Sequence, residues 1–392
     1  MQQTQERSLP IPDADSAAHS DRVASHVRSL IGSSCISFAE YMHAVLYTPG
    51  LGYYAAGATK LGASGDFITA PEVSPLFARV LARQCATVMA KLSSASILEF
   101  GAGSGRLAAD LLARLAELDA LPHRYMIFEV SADLRERQQT MLASAIPEIF
   151  ERVCWLDRLP VEHRGVVIAN EVLDALPVER FVRRSDHVAQ LCVALEQDRL
   201  VLVERPAPAI LADAVAEIEH DLGFTLADGY VSEVCLAAEG WLADLAGLLH
   251  EGVALLFDYG VNRREYYAVD RDSGWLRCHF RHHVHANALA LPGIQDITAW
   301  VDFSAVAAAA AAHGLNILGY VTQAHFLLDG GLREELAGFA ELPLATQLQL
   351  SSQIKFLTLP GEMGENFKCL GLSRGPAGIL DSLARANRAN SL

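Results

Sequence analysis

Residues 96–112, SILEFGAGSGRLAADLL, constrain the fold more than any other part of the chain. A short apolar run predicts a buried strand, closely spaced glycines predict a tight turn, and regularly spaced leucines predict an amphipathic helix. In such a turn, backbone N–H groups and the N terminus of the helix can approach a ligand closely. The stretch therefore predicts a nucleotide-like ligand, and both NAD and S-adenosylmethionine (SAM) would suit it.

Strand and helix patterns alternate after this turn. Further strands, with helices between them, are predicted at residues 125–130, 152–156, 165–170 and 252–260. This alternation is typical of an α/β fold with a doubly wound, mostly parallel sheet. A closing pair of strands is predicted at 297–303 and 315–323, and a last strand at 366–374.

The predicted elements divide the chain into four parts. We expect a disordered tail at 1–20 and, at 21–95, an N-terminal helical extension with a long ordered loop (51–73). A Rossmann-like core is expected at 96–178 and 251–392. An inserted α+β subdomain is expected between them, with hairpin strands at 179–205 and helices at about 207–222 and 232–250. Helix caps are predicted at SFAE (37–40), Ser74 and Ser131.

Composition narrows the possible partners. The 392-residue chain is 51% hydrophobic, which allows a sizeable core, and its net charge is −16. Such a chain lacks the basic surface that nonspecific nucleic-acid binding requires, and no apolar run approaches the roughly 20 residues of a membrane helix. Seven cysteines without a CxxC pair argue against a zinc or disulfide framework and for a cytoplasmic protein. We therefore expect no nucleic acid, no membrane and no metal as partners.

The spacing of the glycines separates the two cofactors. Gly101, Gly103 and Gly105 form G-x-G-x-G, and Arg106 stands where a dinucleotide fingerprint would need Gly or Ala. Glu99 precedes the first glycine, and E-x-G-x-G-x-G on a first strand is the pattern of SAM-dependent methyltransferases. Carboxylates also suit SAM, which carries an ammonium group, a sulfonium and a ribose. The turn therefore favours SAM over NAD.

Polar residues at the ends of the next strands complete the predicted cofactor site. Glu129 closes the second strand, where an acid can accept both ribose hydroxyls in NAD and SAM enzymes alike. Asp157 follows the third strand, where an acid could accept from the adenine amino group. Asn170 ends the fourth strand, at the edge where open α/β sheets bind their ligands.

The chain also carries segments with family-specific sequences: GDFITAPEVSPLFA (65–78), LEFGAGSGRLAADLL (98–112), FEVSADLRERQ (128–138), VIANEVLDALPV (167–178), LLFDYG (255–260), GWLRCHFRHH (274–283), PGIQDITAWVDF (292–303) and PGEMGENFKCLGL (360–372). Together they resemble the MidA family of class I SAM-dependent methyltransferases, whose mitochondrial member is an arginine methyltransferase that assists assembly of respiratory complex I. One departure is Ala102, where many relatives carry Pro. The acidic N terminus, which is poor in cysteine, favours a bacterial cytoplasmic relative.

Methyl transfer to arginine requires carboxylates that hold the guanidinium group and orient one nitrogen towards the methyl group. Glu171 and Asp174 lie on one short turn after the fourth strand, and we expect them to contact cofactor or acceptor. Alternatively, Glu171 caps this turn and Asp174 is solvated. Asp258, which ends the fifth strand, could face the acceptor or could bond to nearby backbone.

The resemblance implies two further parts of the site. It suggests that the loop at 51–73 folds over the cofactor with Asp66 and Thr69 close to it, although an Asx turn would also explain Asp66. It also suggests that Arg281 and His282 line the acceptor cleft with Asp296 nearby, the alternative being a polar loop that only stabilises the structure.

Four histidines at 279, 282, 283 and 285 invite a metal site, but they lack the Cys and carboxylate ligands at defined spacing that zinc would recruit. The expected function is therefore SAM-dependent methylation of arginine on a protein partner, with S-adenosylhomocysteine (SAH) as product. A SAM-binding assembly factor with little turnover is the alternative.

Overall fold

The computed structural model describes residues 9–56, 69–375 and 380–392, and the chain divides into two compact units. The first unit combines residues up to 67 with 175–237 and 263–300, and the second combines 68–174, 238–262 and 301–392. These boundaries differ from the predicted ones. Residues 263–300 belong to the first unit rather than to the Rossmann-like core, and the helix at 75–89 belongs to the second unit rather than to the N-terminal extension.

Within the described ranges the strands are β1 (Cys35–Ser37), β2 (Ser96–Phe100), β3 (Tyr125–Phe128), β4 (Val153–Leu156), β5 (His163–Asn170), β6 (Glu179–Arg183), β7 (Val188–Glu196), β8 (Arg199–Pro206), β9 (Val231–Val234), β10 (Leu249–Val261), β11 (Arg277–Phe280), β12 (His283–His285), β13 (Asp296–Thr298), β14 (Val301–Asp302), β15 (Asn316–Thr322) and β16 (Phe367–Arg374).

The α-helices of the same ranges are α1 (Ala14–Ile31), α2 (Phe38–Tyr47), α3 (Ala70–Val73), α4 (Pro75–Met89), α5 (Arg106–Glu117), α6 (Ala132–Ala145), α7 (Ala209–Leu222), α8 (Ala237–Leu248), α9 (Arg263–Tyr266), α10 (Phe303–Ala312), α11 (Gln323–Leu327), α12 (Arg333–Glu335), α13 (Leu344–Thr358), α14 (Met363–Asn366) and α15 (Asp381–Ala384). None of the helices in the described part of the chain is long and apolar enough to cross a membrane.

The second unit is built on an eight-stranded sheet in the order β15-β16-β10-β5-β2-β3-β4, with β14 paired to β10. Strands β10, β5, β2, β3 and β4 run parallel, and β16 is antiparallel to β10 and β15. The central strands β2, β5 and β10 are mostly apolar and buried, with Ile97, Val166 and Leu255 fully inaccessible, because helices cover the sheet. The predicted α/β fold with a mostly parallel sheet is confirmed.

The closing strand predicted at 297–303 is confirmed only for residues 301 and 302. Asp296–Thr298 pairs with β11 outside the large sheet, and only Val301–Asp302 reaches that sheet, parallel to β10. The extended run ends there because the Asp302 carboxylate accepts from the N–H groups of Ser304 and Ala305 and so begins α10. The other predicted partner, β15, pairs with β16 as an antiparallel edge strand.

The first unit contains two antiparallel sheets. One has the order β1-β7-β6-β9 with β8 on β7, and the other has the order β12-β11-β13. The hairpin strands predicted at 179–205 are confirmed as β6, β7 and β8. Residues 231–234 form strand β9, so the helix predicted from 232 begins only at Ala237. The prediction merged β9 with the helix because only two residues separate this short strand from α8 in the sequence.

Helix starts follow the predicted caps in α2, α4 and α6. Ser37 and Glu40 form the capping box of α2, Ser74 accepts from Leu76 N–H, and Ser131 accepts from Leu134 N–H.

The prediction of disorder at 1–20 is wrong for residues 14–20, which form the start of α1. Asp13 caps this helix by accepting from Ser16 N–H at 2.8 Å, and Val23 and Val27 pack in the core of the first unit. The polar composition concealed the helix because its apolar stripe begins only in the later turns. Residues 1–8 lie outside the described part of the chain.

Candidate cofactor and active site

The glycine turn joins β2 to α5 in a conformation that favours glycine. Gly101, Gly103 and Gly105 have φ angles of 62°, 55° and 84°, in the left-handed region. Gly101 N–H donates to Phe128 O at 3.0 Å, which ties the turn to the end of β3. A Cβ at Gly105 would lie 2.8 Å from Met141 Cε on α6. The turn therefore sits between two strand ends and a closely packed helix.

Glu129 follows β3 beside this turn and is buried. Its Oε1 accepts from Ser131 N–H at 2.9 Å, and its Oε2 accepts from the Gln138 amide at 3.2 Å. Burial raises the pKa of the Glu129 carboxyl, while these hydrogen bonds act in the opposite direction. The side chain is thus held in one orientation next to the glycine turn, as a ribose-binding acid requires.

Gln138, on α6, is a residue that the sequence reasoning missed. Its side-chain amide is fully buried; Nε2 donates to Gly103 O at 2.9 Å as well as to Glu129, and Oε1 accepts from Trp155 Nε1 at 2.9 Å. A single polar residue in a helix stripe predicts no such bridge, because the three partners come from separate segments.

The other predicted cofactor residues have different surroundings. Asp157 is exposed and forms an ion pair with Arg135 at 2.7 Å. Thr69 precedes α3, where its side chain makes no capping bond. One turn later Glu72 accepts a short hydrogen bond from Ser104 in the glycine turn, which connects α3 to the turn. Asp66 lies outside the described residues.

Glu99 is buried within β2 rather than exposed at the turn. Its Oε2 accepts from the Tyr125 hydroxyl of β3 at 2.7 Å. Burial raises the pKa of Glu99 to about 7, although the hydrogen bond from Tyr125 lowers it. The geometry places this acid beneath the turn, where it joins two strands.

The ends of β5 and β10 bring the predicted acids together. Glu171 follows Asn170 with a left-handed φ of 53°, and its N–H donates to Phe257 O at 2.8 Å. Asn170 Nδ2 donates to Glu171 Oε1 at 3.1 Å. Asp174 is buried and accepts from the Tyr259 hydroxyl. A non-glycine residue in this conformation stores strain, which is commonly found at functional sites.

Asp258 is fully buried, and both of its oxygens accept from backbone. Oδ2 accepts from the N–H groups of Leu173 and Asp174 at 2.9 and 3.1 Å, and Oδ1 accepts from Tyr259 N–H at 2.9 Å. Burial, together with nearby Asp174 and Glu171, raises the pKa of Asp258 well above its usual value. This geometry corresponds to the backbone-bonding alternative for Asp258, so the residue shapes the turn that carries Asp174.

His282 lies in the first unit, in the turn between β11 and β12. It is exposed, and both Arg281 and His282 have left-handed φ angles, 47° and 61°. Arg281 forms an ion pair with Asp13, and Asp296 accepts from the Tyr54 hydroxyl at 2.8 Å. A role for His282 in acceptor binding stays a prediction. In the described residues no group of three or more His, Cys, Asp or Glu side chains could hold a metal.

The residues at the carboxyl edge of the large sheet fit SAM. Asn170 Oδ1 is buried without a hydrogen-bond partner among the described residues, so it is available to a donor such as an ammonium group. Val172 Cγ2 would lie 3.4 Å from a Cβ at Gly101, which puts the acid-bearing turn directly beside the glycine turn. The glycine turn, Glu129 and Asn170 would hold the cofactor, which supplies an electrophilic methyl group when bound.

A glycine cradle with G-x-G-x-G spacing at the edge of a parallel sheet, with a buried acid on the neighbouring strand end, is the arrangement expected of a SAM-dependent methyltransferase. The model of the SAM-dependent methyltransferase family Methyltransf_28 matches residues 80–321, and the chain belongs to this family. The resemblance to MidA proteins and the choice of SAM over NAD are thereby confirmed.

A solved structure with the same fold supports the cofactor directly. It is a COG1565 superfamily member from Burkholderia thailandensis bound to S-adenosyl-homocysteine, with a TM-score of 0.92, 40% identity, and coverage of 98% of this chain and 100% of that one. Among curated relatives, the mitochondrial protein arginine methyltransferase NDUFAF7 of Danio rerio is 28% identical over 88% of this chain and 85% of its own. The Homo sapiens protein of that name is 30% identical over 86% of this chain and 80% of its own.

Proposed function

We propose that this SAM-dependent methyltransferase transfers methyl groups to arginine side chains of a protein partner. The observation that carries the proposal is the group of three acids at the ends of β5 and β10, Glu171, Asp174 and Asp258, beside the glycine turn. The names of the curated relatives support the same acceptor.

The chemistry of the acids suits a guanidinium acceptor. Carboxylates bind guanidinium through paired charge-assisted hydrogen bonds, and such bonds orient the planar group. Glu171 is partly exposed and can reach an acceptor, whereas Asp174 is buried and oriented by the Tyr259 hydroxyl. In the proposed arrangement Glu171 binds the guanidinium directly, Asp174 supplies negative charge behind it, and Asp258 fixes the turn through backbone bonds.

The test is transfer of labelled methyl groups from SAM to proteins of the source cell, followed by mass spectrometry for methylarginine. Glu171→Gln should reduce transfer on the order of a hundredfold, because one oriented charge is lost, while SAH affinity changes by less than threefold. Asp244→Asn, on the exposed face of α8, is the control for charge and should have no effect.

Label on residues other than arginine would refute the acceptor class. SAH binding without label in any protein fraction would instead identify a SAM-binding assembly factor with little turnover.

We also propose that the protein acts in the cytoplasm. All seven cysteines are free, as reducing surroundings would require. Fractionation of the source cells with an antibody against the chain tests this, and recovery outside the cytoplasmic fraction would contradict it.

A further inference from the structure

We propose that Gln138 is a positioning residue for the cofactor, which couples the ribose-binding acid Glu129 to the glycine turn and to the end of β4. The inference rests on the placement of SAM at Glu129 and the glycine turn given above. Gln138 would act through Glu129 and Gly103 rather than by touching the reacting atoms.

The burial of Gln138 points to a polar function of α6. Gln138 and Leu142 are the two buried residues of this 14-residue helix, so one of its two buried side chains is polar. A buried amide must be hydrogen-bonded to be tolerated, and all three of its bonds go to segments that flank the proposed cofactor site.

The bridge fixes distances between parts of the chain that are far apart in sequence. Nε2 donates to Gly103 O at 2.9 Å and to Glu129 Oε2 at 3.2 Å, so the turn and the acid share one donor group. Oε1 accepts from Trp155 Nε1 at 2.9 Å, which sets the orientation of the amide. Without this amide, Glu129 would keep only its backbone bond to Ser131 N–H among the bonds described above.

One helical turn earlier, Arg135 strengthens the same connection. Its guanidinium donates to Leu156 O and to Asp157 Oδ1. The inward face of α6 therefore joins the ends of β3 and β4 to the turn after β2. Binding of the ribose at Glu129 should consequently change the hydrogen bond between Gln138 and Trp155, although Trp155 itself need not touch the cofactor.

The test combines calorimetry of SAH binding with a double-mutant cycle. Gln138→Leu should raise the Kd of SAH about tenfold, and Glu129→Gln should raise it at least as much. The effect of Gln138→Leu on the Kd should be clearly smaller in the Glu129→Gln background than in wild type, because the part that acts through Glu129 is already lost there, whereas the bond to Gly103 O remains. An SAH analogue that lacks both ribose hydroxyls should likewise show a smaller difference in Kd between wild type and Gln138→Leu than SAH does.

Gln84→Leu is the matched control. Gln84 is also a buried glutamine of the second unit, and its amide bonds to Gly330 O at 2.8 Å and Ser382 Oγ at 2.9 Å, away from the predicted cofactor residues. It should leave the Kd of SAH within twofold of wild type.

Nitrogen-15 labelling of tryptophan gives a readout that a merely structural role would not move. The Trp155 indole resonance should shift on SAH binding in wild type and lose this response in Gln138→Leu. Trp275 Nε1, which donates to Tyr266 O at 2.7 Å, should stay unchanged and serves as an internal reference.

Should Gln138→Leu fail to fold, Gln138→Glu replaces it. A carboxylate at this position keeps the acceptor for Trp155 but repels Glu129. The SAH affinity of Gln138→Glu should therefore recover as the pH falls, because the protonated carboxyl can again donate to Glu129. A Gln138 variant that binds SAH like Gln84→Leu, or effects that add in the double mutant, would overturn the positioning role. Normal SAH binding by Glu129→Gln would show instead that the cofactor placement is wrong, and the inference would fall with it.

Discussion

Substitution of Gly105 by alanine tests whether the geometry of the glycine turn controls cofactor binding. Gly105 has a φ of 84°, and a Cβ there would lie 2.8 Å from Met141 Cε. Met141 Cε is the end of a flexible side chain and can move at small cost. The main penalty is therefore conformational, roughly 1–2 kcal/mol for a non-glycine residue in the left-handed region.

The same penalty predicts the loss of affinity. In the free protein the backbone of the turn can move and relax the strain. Binding of the cofactor restores the original geometry and with it the strain, so the strain energy reduces the free energy of binding. A cost of about 1–2 kcal/mol corresponds to a rise in the Kd of SAH of roughly 5- to 30-fold. The Tm of the free protein should fall by about 1–4 °C. This decrease is smaller than the full strain would cause, because the turn relaxes in the free protein.

Gly338→Ala separates the two effects. Gly338 belongs to the same unit, has a φ of 79°, and the nearest atom to a Cβ there is Glu341 Oε2 at 3.6 Å. Alanine there should lower the Tm by a similar amount and leave the Kd of SAH unchanged. Calorimetry and thermal denaturation measure both quantities. Equal SAH affinity of Gly105→Ala and Gly338→Ala would mean that the geometry of the turn does not control cofactor binding.

Three further predictions concern buried acids of the second unit. Glu335→Gln should lower stability at pH 7 by about 1–3 kcal/mol, because the buried Glu335 carboxylate pairs with Arg79, Arg83 and Arg114. Burial raises the pKa of Glu335, but the bonds to the arginines outweigh this effect and hold the pKa below its usual value. The stabilisation is therefore present above the unfolded-state pKa and is lost as the pH falls through the folded-state pKa. The Tm difference between wild type and this variant should accordingly shrink from pH 7 to pH 4, and a constant difference would contradict the argument. Glu99→Gln should flatten the pH dependence of stability between about pH 5 and 7, since the pKa of Glu99 is raised to about 7 and the folded state holds a proton that the unfolded state releases. The Tm of wild type should therefore fall relative to that of the variant as the pH rises from 5 to 7. Parallel curves of Tm against pH would contradict this prediction. Asp258→Ala should reduce stability by about 2–3 kcal/mol and abolish methyl transfer, because the N–H groups of Leu173 and Asp174 lose their acceptor. An unchanged Tm would show that these hydrogen bonds contribute little to stability.

Much of the second unit could be predicted from local sequence. Strand β2, the turn and α5 follow from an apolar run, glycines and a helical stripe within 17 residues, and such patterns depend only on neighbouring residues. Capping residues such as Ser37 and Ser74 act over three residues and were equally predictable. Strands at 297–303 and 231–234 were misjudged because short extended segments take their partners from distant parts of the chain.

Local sequence was enough to assign the cofactor class, because the G-x-G-x-G spacing with Glu99 before it and Arg106 after it departs from the dinucleotide fingerprint. The contacts of the acids at the strand ends could be learned only from the folded structure. Asp258 bonds to the backbone of a segment more than 80 residues away, Glu99 bonds to Tyr125, and Gln138 joins three segments through one amide. Burial and hydrogen-bond partners arise from packing between distant segments, and a pattern along the chain carries no information about which segments meet.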